Sequence, residues 1–145
     1  MQRLLLALSI VFLGALAGES NHAFAQANFF EGKAIRLVVG FTAGGGYDAY
    51  TRTLARHMGK HIPGNPSMIV ENMPGAGSMI SANYIFKAAR PDGLTIGHFI
   101  GGLFLQQLLG KPGIEFDAAK FQFVGVPAQD NFVIGLAKST GITDV

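Results

Sequence analysis

The stretch Lys33–Asp48, KAIRLVVGFTAGGGYD, decides the architecture. Its first half, Lys33 to Gly40, is a short apolar run carrying Ile, Leu and two Val, and it ends on glycine. Such a run suits a parallel strand buried on both faces. Its second half, Phe41-Thr42-Ala43-Gly44-Gly45-Gly46-Tyr47-Asp48, is a glycine-rich loop. Asp48 is a good N-cap or first-turn residue for a following helix. Beyond it, Tyr50, Leu54, Met58 and Ile62 form a stripe at four-residue spacing, with Arg52, Arg56 and Lys60 on the opposite side. This predicts an amphipathic helix with a solvated cationic face. Pro63-Gly64-Asn65-Pro66 stops it.

Outward from there the chain keeps alternating. Ser67 to Glu71 predicts a second strand, and Asn72 to Ser78 a second glycine turn. Ser78 is placed to cap a helix running to about Ala89, with Met79, Ala82, Phe86 and Ala89 inward. Arg90-Pro91-Asp92-Gly93 reads as a turn. Leu94 to Phe99 predicts a third strand, and Gly101-Gly102 opens a helix through Leu109. A less regular stretch carries Phe116, Phe121 and Phe123, most simply as packing residues. Phe132 to Ala137 predicts a fourth strand, and Thr143-Asp144 could begin another helix. The order β-α-β-α-β-α-β implies an α/β fold, mainly a parallel sheet with helices on both faces. In such sheets ligands bind beyond the carboxyl ends of the strands. Those ends carry the glycine clusters at 44–46, 75–77 and 101–102.

A chain of 145 residues is enough for one domain and too short for a large multidomain enzyme. Apolar residues make up 49% and charged residues 14%, so this is no disordered charged tail. A net charge of +2 without a basic run speaks against a nucleic-acid surface. With no cysteine, disulfides, thiolate metal sites and cysteine nucleophiles are excluded together. The first 25 residues read as a leader: Arg3, then the apolar run Leu4–Ala17, then polar residues and Ala23-Phe24-Ala25 as a cleavage site. The apolar run is shorter than the ~20 residues that span a bilayer. Arg3 and Glu19 leave together, so cleavage does not change the charge. Export without cysteine suits a bacterial periplasm.

Consecutive glycines leave backbone N–H groups uncovered and allow φ > 0, so several can converge on one point. A helix N-terminus behind each cluster adds free donors and partial positive charge. Two such loops at neighbouring strand ends can hold a carboxylate or another anion. Equally, glycines can serve only tight strand-to-helix turns, and both readings stand. Nucleotide motifs do not fit: no Gly-Lys-Ser/Thr follows Gly44-Gly45-Gly46, and Ile80 holds the last position of G-x-G-x-x-G at Gly75. His57 and His61 have metal-ligand spacing, but the intervening Glu of H-E-x-x-H is missing and no third ligand is evident, so no metal site is expected. His98 reads as a hydrogen-bonded histidine near a sheet end. Ser78 lacks the G-x-S-x-G elbow and reads as a cap before a nucleophile. Asp48 is either a cap or the acceptor that orders the glycine loop. No acid/base pair or triad is visible, so neither catalysis nor a cofactor is expected.

The opening Gly40-Phe41-Thr42-Ala43-Gly44-Gly45-Gly46-Tyr47-Asp48, followed by Ala55-Arg56, resembles that of the TctC-like or Bug family. So does Val70-Glu71-Asn72-Met73-Pro74-Gly75-Ala76-Gly77-Ser78, followed by Ala88-Ala89-Arg90-Pro91-Asp92-Gly93-Leu94-Thr95-Ile96. These are the substrate-binding receptors of tripartite tricarboxylate transporters. The resemblance implies a type II-like periplasmic binding protein with two α/β lobes and a hinge. Such a receptor is a monomer that closes on a small organic carboxylate and presents it to membrane permease subunits. It further implies ligand contacts at Ala43, Gly44, Gly45, Gly46 and Asp48, and at Gly75, Ala76, Gly77 and Ser78, partly through backbone N–H and water. Thr42 stands where the family usually has proline, and Ser78 replaces a common glycine. Family members run to roughly twice the length left after the leader is removed, as two lobes require. The expected organisation is therefore a leader (1–25), an incomplete first lobe (26–130) and the start of a crossover (131–145) in a truncated form. Two other classes remain in view: a small exported α/β hydrolase-like enzyme with an anion-binding glycine loop, and a receptor-type sensor for a membrane signalling partner.

Overall fold

Residues 34–39, AIRLVV, contain no glycine or proline and form β1, Ala34–Val39. A computed structural model describes residues 29–128 together with Ser139 and Gly141. After β1 come α1 (Gly46–Met58), a tighter turn at Gly59–His61, and β2 (Ser67–Asn72). Then follow α2 (Met79–Lys87), β3 (Thr95–His98) and α3 (Gly102–Leu108). The strands are all parallel, in the order β2-β1-β3. The expected α/β fold with a parallel sheet is thus present. β1 is central, and Ile35, Leu37, Val38 and Val39 are buried. Each such side chain is worth roughly 1.5–3 kcal/mol of burial, which makes β1 the axis of the sheet's stability.

The connection from β1 to β2 moves to one side of β1, and that from β2 to β3 moves to the other. With right-handed crossovers, this forces their helices onto opposite faces. Side-chain alternation agrees. On one face, Asn72 and His98 hydrogen-bond to α1 side chains. On the other, Arg36 Nη1 donates to the hydroxyl of Tyr84 in α2 at 3.1 Å. A Cβ added to Gly97 would lie 2.9 Å from Cγ1 of Ile85, also in α2. Arg36 Nε also donates to Glu71 at 2.9 Å and so ties β1 to β2 on that face. Below α2, Ala82, Leu103 and Phe116 are buried, with Met79, Phe86, Phe99, Phe104 and Phe121 packed around them.

The predicted helices are trimmed at their ends, each for a local reason. α1 stops at Met58 rather than Ile62. There Gly59 is buried so tightly that a Cβ would lie 2.7 Å from the carbonyl oxygen of Pro66. α2 ends at Lys87 rather than Ala89, because the amides of Ala88 and Ala89 both turn onto Tyr84 O. The apolar stripe on α1 is corrected more deeply. Tyr50 and Leu54 are exposed, and the buried residues of this helix are Asp48 and Thr51. Polar Asn72 and His98 lie where α1 crosses the strand ends, so the helix turns polar partners toward them. The inward set Met79, Ala82 and Phe86 on α2 is found as expected. The expected leader, the strand Phe132–Ala137 and the helix start at Thr143 lie outside the described residues.

Candidate functional site

The first glycine loop is held from outside itself. Gly45 occupies the N-cap position of α1 in an extended conformation and has no side chain with which to cap. Asp48, third residue of the helix, does that work by reaching back: its Oδ2 accepts the Gly44 amide at 2.8 Å. Gly44 itself has φ 84°, where a Cβ would be strained. The same Oδ2 accepts Arg52 Nε at 2.9 Å, and Oδ1 accepts Asn72 Nδ2 at 2.9 Å. Asn72 also donates to Phe41 O at 2.9 Å and accepts from Arg52 Nη2 at 3.1 Å. One carboxylate therefore joins the loop after β1, the first turns of α1 and the end of β2. Asp48 is 2% exposed. The Arg52 guanidinium, then the Gly44 amide and Asn72, hold its carboxyl well below the usual carboxylate range. Asp48 is thus both a first-turn residue and the acceptor that orders the loop, not an N-cap.

The second loop is held by its own backbone. The Met73 amide extends the ladder to Val39 O at 2.7 Å. Gly75 then takes φ 139° and ψ 146°, a region open essentially to glycine. Ala76, Gly77 and Ser78 follow with φ of 47°, 62° and 68°, a full left-handed turn. For Ala76 and Ser78 this costs roughly 1–2 kcal/mol each. The expectation that the Ser78 side chain caps α2 is corrected. No capping bond forms, because the left-handed backbone turns the hydroxyl toward the loop after β3. There Ser78 Oγ accepts the Ile100 amide at 3.1 Å, while Ser78 O accepts the Ser81 hydroxyl at 2.8 Å. Ser78 is fully buried against Gly40, where an added Cβ would lie 2.2 Å from its own Cβ.

The loops after all three strands therefore meet at their bases, at the carboxyl ends of the sheet. Ala43, Gly44, Gly46, Ala76 and Gly77 are exposed there, and Gly45 and Gly75 are half-buried. Asp48 and Ser78 lie beneath, with their polar atoms engaged by the protein. His98 closes the third side. Thr51 Oγ1 donates to Tyr47 O at 2.7 Å and lies 2.6 Å from His98 Nδ1. The single hydroxyl proton is taken by Tyr47, so His98 Nδ1 is the donor in that pair. Burial holds the imidazole below its ordinary pKa. This is the hydrogen-bonded histidine the sequence suggested. Tyr47 stacks on Phe41 with ring centroids 4.4 Å apart and lies 4.9 Å from the His98 ring.

Two cavities flank the sheet on opposite faces. One of about 200 Å³ lies on the α1 face, lined by Leu37, Leu54, Ile96 and His98 among others. The larger, about 400 Å³, is lined by Arg36, Tyr84, Arg90 and Asp92 and lies toward the amino ends of the strands, away from the glycine loops. His57 and His61 are both exposed. Arg52, Asn72 and Thr51 were missed as site residues. Arg52 was legible in principle, as the i+4 partner of Asp48 on a helix. Asn72 and Thr51 carry no local signal, since their partners come from other elements.

No family model matches the chain. It is 47% identical over 82 residues to a UPF0065 protein of Cupriavidus necator, covering 57% of this chain and 24% of that protein. It is 29% identical over 96 residues to a UPF0065 protein of Bordetella bronchiseptica, covering 66% of this chain and 28% of that one. A solved structure described as a periplasmic transporter is 38% identical, with a TM-score of 0.41, over 46% of this chain and 21% of that chain. The chain spans about a quarter of the length of the curated relatives it matches, and within that span it is similar to UPF0065 proteins.

Proposed function

We propose that this chain is part of a periplasmic solute-binding receptor, in which the glycine loops capture a small carboxylate for presentation to membrane permease subunits. The observation that carries the reading is the meeting of three strand-end loops at the carboxyl edge of a parallel sheet, where such folds bind ligands. The similarity to UPF0065 proteins supports it, as does the resemblance of both glycine signatures to carboxylate receptors. Ala43 and Gly46 would offer amides at the start of α1, and Ala76 and Gly77 amides from the left-handed turn. Asp48 and Ser78 would act through the loops they hold, since both are buried. This set offers amides to an anion, and Thr51, the hydroxyl beside His98, is buried with its proton directed at Tyr47 O, so the reading is a binding protein rather than an enzyme.

Thermal unfolding of the full chain with a panel of di- and tricarboxylates tests this. The expected result is a concentration-dependent rise in Tm with one class of acid, following the mass-action form of ligand linkage. A Tm that no carboxylate moves at millimolar concentration would overturn the reading.

A further inference from the structure

An anion site built over a buried carboxylate poses an electrostatic problem. Asp48 lies directly beneath the loop that would receive a carboxylate, and like charges in a partly desolvated place repel. Two side chains answer it. Arg52 contributes Nε to Asp48 Oδ2 and Nη2 to Asn72 Oδ1, so its fork spans both partners. Asn72 contributes its amide to Asp48 Oδ1 and to Phe41 O. With both oxygens engaged and the charge matched, Asp48 still directs one lone pair at the Gly44 amide. We propose that Arg52 and Asn72 are positioning residues of the anion site: they neutralise Asp48 and hold it so that it presets the first glycine loop. This rests on the carboxylate-receptor reading and adds to it the residues that set the sign of the site.

The geometry makes this more than a surface ion pair. Arg52 alone, four residues from Asp48 on one helix and nearly half exposed, would tie the buried carboxylate only to its own helix and leave much of the pair's attraction screened by solvent. Asn72 changes that, because it comes from β2 and binds both the carboxylate and the chain entering the loop. Moving any member of the set moves the loop.

The test uses the full chain and four variants: Arg52→Gln, Arg52→Lys, Asn72→Ala and Lys60→Gln. Lys60 is exposed and outside the network, so its loss controls for charge alone. Two quantities are read in each: hydrogen exchange of the Gly44 amide by NMR, and the Kd for citrate and for succinate by calorimetry. Arg52→Gln and Asn72→Ala should speed Gly44 exchange and weaken binding by about tenfold or more, the scale of a lost charge-assisted bond. Arg52→Lys should recover part of the affinity, and Lys60→Gln should change neither quantity. Gly44 exchange unmoved in Arg52→Gln would overturn the proposal, as would an equal loss of affinity in Lys60→Gln. If Asn72→Ala does not fold, the Arg52 pair decides alone. If the wild type binds neither probe, the receptor reading fails for these acids, and Gly44 exchange still decides whether Arg52 and Asn72 position the loop.

Discussion

The two glycine loops look alike as text and are built on different physics. The loop after β1 is shaped by charge: a buried carboxylate, its guanidinium partner and an amide from the next strand. The loop after β2 is shaped by sterics: a left-handed turn locked between Gly40 below and Ile100 beside it. A charge-held loop answers to pH, salt and single polar substitutions. A sterically held loop answers to volume, to backbone freedom and, through Ser78 Oγ and the Ile100 amide, to one neutral hydrogen bond that pH does not touch. The same Gly-x-Gly composition therefore predicts flexibility in neither place.

The largest expected effect is on the steric side. Gly40→Ala puts a Cβ 2.2 Å from Ser78 Cβ and 2.6 Å from Ser81 Oγ, in a fully buried place. Overpacking of this degree should destabilise the protein by about 3 kcal/mol or more, read from urea unfolding. Adding Ser78→Gly should return part of that loss, since it removes one of the clashing atoms. Independent, additive effects would break the claim that these two positions meet.

Next in size is Ser78→Ala. It leaves the Ile100 amide without its acceptor at a cost of about 1–3 kcal/mol, and the cost should not vary with pH. Ser78→Gly loses the same bond but relieves the left-handed strain, so it should be the milder of the two. A harsher Ser78→Gly would mean that the left-handed strain at Ser78 is smaller than the backbone argument requires.

The smallest effect at neutral pH, and the most diagnostic, belongs to Asp48. Its pKa is depressed in the folded chain, so its contribution is whole above the unfolded value near 3.9 and lost as pH falls below that. Asp48→Asn should therefore be less stable than wild type at pH 7 and converge on it as the pH drops toward 2. Glu71, held down by Arg36, adds its own acid loss to both proteins, so the difference isolates Asp48. A gap that stayed constant with pH would show the first loop to be held by packing like the second.

What was legible in the sequence follows the same division. Lys33–Gly40 announced a buried strand because its signal is a local run of apolar residues, and β1 appears within one residue of each expected end. The glycine clusters announced their loops for the same reason. Asp48 announced two roles, and the structure combines the first turn with the loop-ordering bond. Tyr50 and Leu54 misled, because four-residue spacing finds a face without saying what that face meets. Ser78 misled because a cap residue in the left-handed region turns its hydroxyl elsewhere, and non-glycine residues enter that region too rarely for the letters to show it. Asn72 was invisible as a site residue, since its role exists only once β2 lies beside β1.

The central position of β1 has a kinetic consequence. Among the described strands, the one with the richest run of aliphatic side chains is made before both of its partners, one of which lies beyond a full helix and the other beyond two. Parallel pairing of this kind closes long loops before any ladder bond rewards them, which makes it slow. Until β3 arrives, Ile35, Leu37, Val38 and Val39 form an exposed adhesive segment, and it is this interval, rather than the finished fold, in which the chain is most open to aggregation and most in need of a holding chaperone.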